Sequence, residues 1–137
     1  MSEKKIAVVT GGSAGIGEAA ARALADDGYT VYVCARRKEL CERIAGEIGG
    51  VGVELDVTDQ GSVDKLAAQL ERVDVLVNNA GGAKGLDPLR DAKPEDWDWM
   101  YQTNVLGTVR VTKALYPALV AAAVSYTHLT LPTNREV

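Results

Sequence analysis

Short apolar runs alternate with longer amphipathic stretches along the first 80 residues of the chain. The short runs are rich in β-branched residues and apolar almost throughout, which is typical of strands covered on both faces. The stretches between them carry apolar residues every three or four positions, which indicates helices. The pattern therefore predicts four strands, at 6–10, 30–34, 51–55 and 73–77, with a helix after each of the first three.

The residues at the ends of the predicted helices support these boundaries. Gly28 follows the first helix, and Gly49 and Gly50 follow the second. Glycine readily takes the left-handed conformation that ends many helices. Thr58 and Asp59 precede the third helix, where their side-chain oxygens can accept hydrogen bonds from free N–H groups.

Strands that alternate with helices predict one parallel sheet with helices on both faces, a three-layer αβα arrangement of the doubly wound (Rossmann) type. Right-handed crossovers place the third strand beside the second, the second beside the first, and the fourth on the other side of the first. A ligand crevice is expected between the first and fourth strands, where the order reverses. The remaining sequence predicts a loop over 81–92, a helix that opens at Pro94 and spans 95–100, and a long helix over about 105–122.

The composition fits one soluble globular domain. The chain has 137 residues, of which 47% are hydrophobic and 25% charged, and this balance excludes a disordered chain. Phenylalanine is absent, so the core must be largely aliphatic. The formal net charge of −4 argues against nucleic acid or an anionic membrane surface as the main partner.

The sequence gives no indication of export or of a membrane span. The apolar run after the charged amino terminus is only five residues long, too short for a signal peptide. The apolar segment 105–124 contains Arg110, Lys113 and Pro117, which argues against a transmembrane helix. Cys34 and Cys41 suit a reducing compartment better than a disulfide framework. We therefore expect a cytoplasmic protein, and we assign no metal-ligating residues.

A glycine-rich turn directly follows the first predicted strand. Glycine allows positive φ angles and lets the backbone approach a pyrophosphate, while the N–H groups that open the next helix attract anions. A plain glycine turn between strand and helix is the alternative, but the position after the first strand of a βαβ unit favours a dinucleotide site. The candidate binding residues are Gly11, Gly12, Ser13, Ala14, Gly15, Ile16 and Gly17.

The end of the second strand bears on which dinucleotide would bind. An NAD site places a carboxylate there to accept a hydrogen bond from the ribose 2′-hydroxyl, but this chain has Arg36 and Arg37. A guanidinium attracts the 2′-phosphate of NADP and can bind it through two hydrogen bonds. The alternative is that the two arginines only mark a solvated helix start. We interpret them as NADP-binding residues.

Four motifs occur in the order found in one enzyme family. They are the glycine turn at 10–17, Asp56-Val57 after the third strand, Asn78-Asn79-Ala80-Gly81 after the fourth, and Asn104 in the long-helix region. Through them, residues 4–122 resemble a classical short-chain dehydrogenase/reductase. The resemblance implies reversible hydride transfer between a nicotinamide and a carbonyl or alcohol substrate, and an intact enzyme that is a homodimer or homotetramer.

The resemblance also implies a role for each matching residue. The turn residues would line the pyrophosphate and the adenosine ribose, and the arginine pair would meet the 2′-phosphate. Asp56 and Val57 would hold the adenine edge, while Asn78 would tie the fourth strand to its neighbour. The ribose and nicotinamide side would be formed by Asn79, Ala80 and Gly81.

The catalytic set of the family is incomplete in this sequence. Asn104 matches the asparagine that holds a water in the family's proton relay. The relay also uses a Tyr-x-x-x-Lys pair and an upstream serine, because a nearby ammonium lowers the pKa of the tyrosine phenol toward neutrality. None of the five tyrosines is followed four positions later by lysine. We therefore expect this chain to be inactive by itself, with a non-catalytic dinucleotide-binding or regulatory module as the alternative function.

The last residues do not resemble the family. Residues 124–133 are similar to the translation of a transposase adaptor used to prepare DNA-sequencing libraries. A variable index would supply 134–136, and the adaptor that follows it would give Val137 and a stop. An ordinary carboxyl-terminal loop and strand is the alternative. We therefore divide the chain into a truncated NAD(P)-binding Rossmann domain, 1–123, and a non-native tail, 124–137.

Overall fold

A computed structural model describes residues 4–85 and 87–127. Four parallel strands form one sheet, namely β1 (Ile6–Thr10), β2 (Thr30–Ala35), β3 (Val51–Glu54) and β4 (Val75–Asn78). The helices between them are α1 (Gly15–Asp26), α2 (Lys38–Ile48) and α3 (Gln60–Ala68). The strands lie in the order β3-β2-β1-β4, so the predicted doubly wound fold and its strand order are confirmed.

Beyond β4, the chain forms a short 3-10 helix at Leu89–Asp91 and then one continuous helical rod. The rod consists of α4 (Pro94–Met100), a π-helical turn (Tyr101–Leu106) and α5 (Gly107–Thr127). The sequence predicted two separate helices here. They are joined because the π-helical turn, whose hydrogen bonds span five residues, continues the backbone without a break. Of the predicted tail, 124–127 continue α5, and 128–137 lie outside the described residues.

The sheet separates two clusters of buried apolar side chains. Successive strand residues point to opposite faces, so Ala7 and Val9 of β1 pack with residues of α1 and α2, whereas Val8 packs with residues of α3 and α5. Both clusters are built almost entirely from Val, Leu, Ile, Ala and Cys. The predicted aliphatic core is therefore present, and it fixes the sheet between two helical layers.

The element boundaries follow local hydrogen bonding. Gly28 and Gly49 end the first two helices with φ angles of 97° and 71°, and Asp59 caps α3 by accepting a hydrogen bond from the N–H of Gly61. β4 begins two residues later than predicted, because the N–H of Val73 donates to the carbonyl of Ala118 in α5.

The rod Pro94–Val124 is long and apolar enough to span a membrane, with a mean hydropathy of 1.2 in its best window. Length and hydropathy of one helix are weak evidence for a membrane span, since the core helices of soluble proteins meet the same criterion. Val111, Leu115 and Ala118 recur every three or four positions along α5, and all are buried in the cluster beside α3. Within the described residues, the helix therefore packs as a core element of the α/β fold.

Candidate functional site

A cleft of about 470 Å³ opens at the carboxyl ends of the strands, where parallel α/β sheets bind their ligands. Five segments form its walls: the β1–α1 turn, the start of α2, the β3–α3 loop, the residues after β4, and the helical rod. The lining residues are Gly11, Ser13, Ala14, Cys34, Ala35, Arg36, Arg37, Leu40, Leu55, Asp56, Val57, Thr58, Ala80, Gly81, Trp99 and Thr103.

The β1–α1 turn lines the cleft with backbone atoms that carry no side chain, at Gly11. Gly11 has a φ angle of 64°, in the left-handed region that L-residues with side chains avoid. The N-cap of α1 is Ala14, whose side chain has no hydrogen-bond acceptor for the N–H groups of the first turn. An anion at this helix start would supply the acceptor that the side chain lacks.

The other turn residues, Gly12, Gly15, Ile16 and Gly17, are not among the residues that line the cleft. A Cβ on Gly17 would overlap the carbonyl oxygen of Gly11, and one on Gly12 would lie 3.1 Å from both Val33 Cγ1 and Val9 O. Gly17 therefore lets the first turn of α1 lie against the β1–α1 turn, and Gly12 lets that turn lie against β1 and β2. Gly15 faces open space, and Ile16 is 80% exposed outside the cleft lining.

A buried hydroxyl that the sequence analysis missed ties the turn to β4. Thr10 is 1% exposed, and its Oγ1 accepts hydrogen bonds from the N–H groups of Asn79 at 3.0 Å and Ala80 at 2.9 Å. The side-chain amide of Asn79 in turn donates to the carbonyl of Gly11 at 3.0 Å, so it braces the turn. In the sequence, Thr10 could have been singled out because it is a hydroxyl residue at the last position of the first strand, directly before the glycines.

Ala80 and Gly81 line the cleft next to this brace, as expected for the residues after β4. Asn78 instead points to the helical rod, where its side-chain amide donates to Thr112 Oγ1 at 3.0 Å. The end of β4 is therefore fixed both to β1 and to α5.

Arg36 and Arg37 border the cleft where β2 gives way to α2, and both are exposed. Asp56 lies across from them in the β3–α3 loop. Its Oδ1 accepts hydrogen bonds from Thr58 Oγ1 at 2.6 Å and from the Thr58 N–H at 2.9 Å. These bonds, the hydroxyl first, lower the pKa of Asp56, and the positive charges of Arg36 and Arg110 add to the effect.

The π-helical turn carries two side chains of interest. Asn104 is exposed and forms a paired contact with Gly82: its Oδ1 accepts from the Gly82 N–H and its Nδ2 donates to the Gly82 carbonyl, both at 2.9 Å. Thr103, which lines the cleft, is only 8% exposed, and its Oγ1 has no hydrogen-bond partner among the residues that the structure describes. A buried hydroxyl without a partner is costly, so Thr103 marks a place where a polar ligand atom would be favourable.

Trp99 is a second cleft residue that the sequence analysis did not single out. It belongs to α4, and the ammonium of Lys84 lies 4.5 Å from the centroid of its ring. Leu40, Cys34 and Leu55 complete the apolar part of the lining. Burial raises the pKa of the Cys34 thiol, so Cys34 remains neutral and serves as packing.

The residues present fit a phosphorylated dinucleotide. Gly11 presents backbone without a side chain, and the N-cap of α1 has no side-chain acceptor. Arg36 and Arg37 are among the lining residues, and the buried Thr103 hydroxyl has no partner in the described part of the chain. Apolar side chains between these polar groups suit an aromatic base.

The fold and the cleft define a dinucleotide-binding α/β domain of the doubly wound type. The family model for short chain dehydrogenase matches residues 5–125. The chain belongs to the short-chain dehydrogenase/reductase family.

Curated relatives agree with this assignment. The chain is 56% identical over 119 residues to the uncharacterized oxidoreductase Rv0484c of Mycobacterium tuberculosis, covering 87% of this chain and 47% of the relative. It is 39% identical over 121 residues to the NADP-dependent 3-hydroxy acid dehydrogenase YdfG of Salmonella typhimurium, covering 84% of this chain and 49% of the relative. The chain thus spans about half the length of the curated relatives it matches.

Solved structures show the same fold. The closed form of serine dehydrogenase complexed with NADP⁺ matches with a TM-score of 0.79 and 36% identity, over 85% of this chain and 49% of that chain. The Pseudomonas aeruginosa RhlG/NADP complex matches with a TM-score of 0.80 and 32% identity, over 86% of this chain and 49% of that chain.

Proposed function

We propose that this chain is the cofactor-binding part of an NADP(H)-dependent oxidoreductase that transfers a hydride between the nicotinamide and a small carbonyl or alcohol substrate. The observation that carries the proposal is the cleft with Arg36 and Arg37 at the end of β2, where an NAD-specific site would have a carboxylate. The relatives YdfG, serine dehydrogenase and RhlG are named with NADP, which supports the same cofactor here.

The arginine pair selects for the 2′-phosphate on electrostatic grounds. A guanidinium can bind a phosphate through two charge-assisted hydrogen bonds, and Arg36 and Arg37 are exposed at the opening rather than buried in ion pairs. The ribose 2′-hydroxyl of NAD would find no carboxylate at the end of β2. Binding of NADP(H) is therefore favoured over binding of NAD(H).

The other cleft residues orient the cofactor. Gly11, Ser13 and Ala14 present the turn to the pyrophosphate, and Asp56 with Val57 forms the wall for the adenine. Ala80 and Gly81 lead from the adenosine side to Asn104. The bound nicotinamide would supply or accept the hydride. Asn104 would act as the catalytic asparagine of the family by holding a water with the polar atoms that now pair with Gly82.

The whole protein, meaning this segment with its native continuation, is proposed to be a cytoplasmic homodimer or homotetramer that binds neither nucleic acid nor membrane. The family's Tyr-x-x-x-Lys pair would belong to that continuation. We retain residues 124–137 as a proposed non-native tail, and sequencing the source DNA beyond codon 123 tests this directly. A genomic read that encodes the tail would contradict it.

The test of cofactor choice uses the purified whole protein and the variant Arg36→Asp. We expect NADPH to bind more tightly than NADH, and Arg36→Asp to weaken NADPH binding about 100-fold with little effect on NADH. Tryptophan fluorescence measures both, since Trp99 lines the cleft. The matched control is Arg43→Asp, an exposed arginine of α2 that is not among the cleft residues.

Equal affinity for NADH and NADPH, or an unchanged preference in Arg36→Asp, would contradict the cofactor assignment. Hydride transfer is tested separately, by following NADPH absorbance with a panel of small ketones, aldehydes and hydroxy acids. Tight NADPH binding without turnover on any of them would favour the alternative, a non-catalytic dinucleotide-binding module on the same fold.

A further inference from the structure

Arg110 contacts two different walls of the cleft without lining it. It lies near the start of α5, and its Nη1 donates to the carbonyl of Val57 at 3.1 Å and to the carbonyl of Gln102 at 3.3 Å. Its Nη2 donates to the side-chain carbonyl Oε1 of Gln102 at 2.7 Å. One planar guanidinium thus joins the β3–α3 loop to the π-helical turn.

The two groups that Arg110 holds are adjacent to cleft residues. Val57 follows Asp56 and lines the cleft itself. Gln102 precedes Thr103, the cleft residue whose buried hydroxyl has no partner within 4–85 and 87–127. Small shifts of Val57 or Gln102 would therefore change the width of the cleft on its adenosine side.

The π-helical turn explains why an arginine is needed at this point. The carbonyl of Gln102 accepts from the N–H of Gly107, five residues later, and the extra residue of the turn loosens its local hydrogen bonding. Gly107 also comes so close to the β3–α3 loop that a Cβ on it would lie 2.6 Å from Val57 Cγ2. The guanidinium of Arg110 holds the carbonyls of Val57 and Gln102, and it thereby keeps the π-helical turn aligned with the β3–α3 loop.

Lysine could not replace this contact. The planar guanidinium presents several N–H groups in a fixed fork, whereas an ammonium is a compact point charge. No ion pair between Arg110 and a carboxylate occurs within 4–85 and 87–127, so its donors serve backbone and amide oxygens. The residue is built into the site as a hydrogen-bond bridge.

We propose that Arg110 is a positioning residue that sets the distance between the β3–α3 loop and the π-helical turn, and thereby the affinity of the cleft for the adenosine half of the cofactor. The inference rests on the proposed function. It predicts an effect on the adenosine half that a purely stabilising arginine would not produce.

The experiment measures the binding of adenosine 2′,5′-bisphosphate and of NADPH to the whole protein and to its variant Arg110→Met. Methionine keeps an unbranched, apolar stem but removes every donor. We expect both ligands to bind about tenfold more weakly well below the melting temperature, because misplaced walls lose oriented contacts. Arg110→Lys is expected to be weakened to a similar extent, whereas Arg110→Ala should recover affinity when ethylguanidinium is added.

Two further variants keep the test decisive. Gln102→Leu removes one acceptor of the bridge and should weaken the bisphosphate about threefold, even if Arg110→Met does not fold. Arg22→Met is the matched control, since Arg22 pairs with Glu18 and Glu47 on the surface of α1 and α2, and we expect unchanged affinity.

The outcomes separate the two proposals. If the unmodified protein binds neither ligand, the proposed function fails and the role of Arg110 fails with it. If the unmodified protein binds both, but Arg110→Met and Gln102→Leu lower only the melting temperature, Arg110 is structural and this inference alone is overturned.

Discussion

The two long walls of the cleft are held in place by different kinds of contact. The glycine wall, residues 10–17, is fixed mainly by close backbone packing, since Gly17 lies directly against the carbonyl of Gly11, and buried hydrogen bonds of Thr10 and Asn79 add to this. The helical wall, residues 99–104, is fixed by side chains, through the Asn104–Gly82 pair and the Arg110 bridge.

This difference has consequences for binding and for mutation. Backbone packing leaves almost no room for adjustment, so the glycine wall presents a rigid surface suited to a pyrophosphate. Side-chain hydrogen bonds on a π-helical turn can be changed one at a time. We therefore expect larger effects from substitutions in the glycine wall than from those in the helical wall.

The largest effect is expected for Gly17→Ala. The new Cβ would overlap the Gly11 carbonyl oxygen, so the start of α1 must move away from the β1–α1 turn. We expect the whole protein to lose about 3 kcal/mol of unfolding free energy, or not to fold, since such overpacking cannot relax against backbone. Urea unfolding measures the loss, and folded protein should show no detectable NADPH binding.

Gly46→Ala is the matched control for this substitution. Gly46 lies within α2, and a Cβ there meets no atom within 4 Å. We expect a gain of about 0.5–1 kcal/mol, because alanine is the better helix former. A similar loss at both positions would show that close packing of α1 is not what makes Gly17 necessary.

Thr10→Val should give the next largest effect. The substitution keeps the shape but leaves the N–H groups of Asn79 and Ala80 without their buried acceptor. We expect a loss of about 2 kcal/mol in thermal or urea unfolding, because buried donors without partners are costly. Thr10→Ser keeps the hydroxyl and should cost about 1 kcal/mol or less. If valine costs no more than serine, the Thr10 hydroxyl does not hold the β1–α1 turn to the end of β4.

The same difference explains what the sequence could predict. The glycine wall is a local feature, since strand, glycines and helix follow each other within 6–26, and the strand order follows from alternating strands and helices. The helical wall depends on a π-helical turn, which contains one residue more than an α-helical turn. The spacing of apolar residues cannot distinguish this extra residue from a break between two helices, which is what we expected before residue 105. Thr103 and Trp99 were missed for this reason.

Some single residues could not be assigned from their motif alone. Gly12 and Gly17 belong to the nucleotide motif, and the structure adds a packing reason for each that the motif alone does not reveal, against β1 and β2 for Gly12 and against the Gly11 carbonyl for Gly17. Asn79 likewise braces the turn through the Gly11 carbonyl. The roles of Asn104, Asp56 and the arginine pair toward a cofactor stay predictions until binding is measured.

A graded effect is expected for Asn104→Asp in the helical wall. The acid keeps the acceptor for the Gly82 N–H but places an oxygen opposite the Gly82 carbonyl, where the amide now donates. We expect a loss of about 1 kcal/mol in unfolding free energy. The fluorescence of Trp99 should also change, since a Cβ on Gly82 would lie 3.2 Å from that ring.

Asn78→Asp provides the comparison for this variant. Asn78 donates to the hydroxyl of Thr112, and a hydroxyl can reverse its role and donate to a carboxylate. We therefore expect Asn78→Asp to be nearly neutral at pH 7. Equal losses at both positions would mean that the added charge, and not the reversed hydrogen bond to Gly82, is responsible.

The smallest effect concerns pH and the Asp56–Thr58 contact. The pKa of Asp56 is lowered first by the Thr58 hydroxyl, so the ionised carboxylate stabilises the folded state. A carboxyl group whose folded pKa lies below its unfolded value, about 3.9, contributes stability above that value. This contribution is lost as the pH falls through the folded pKa. Because Asp56 is partly exposed, solvent screening keeps the contribution small.

Thr58→Val removes the hydroxyl and should move the pKa of Asp56 upward, so that the acid loss of stability begins at a higher pH. Urea unfolding from pH 7 to pH 3, or an NMR titration of the Asp56 carboxyl carbon, measures the shift, and Thr58→Ser should behave as the unmodified protein does. An Asp56 titration that is the same with and without the hydroxyl would show that the N–H of residue 58 and the charges of Arg36 and Arg110 are enough to keep the carboxylate ionised.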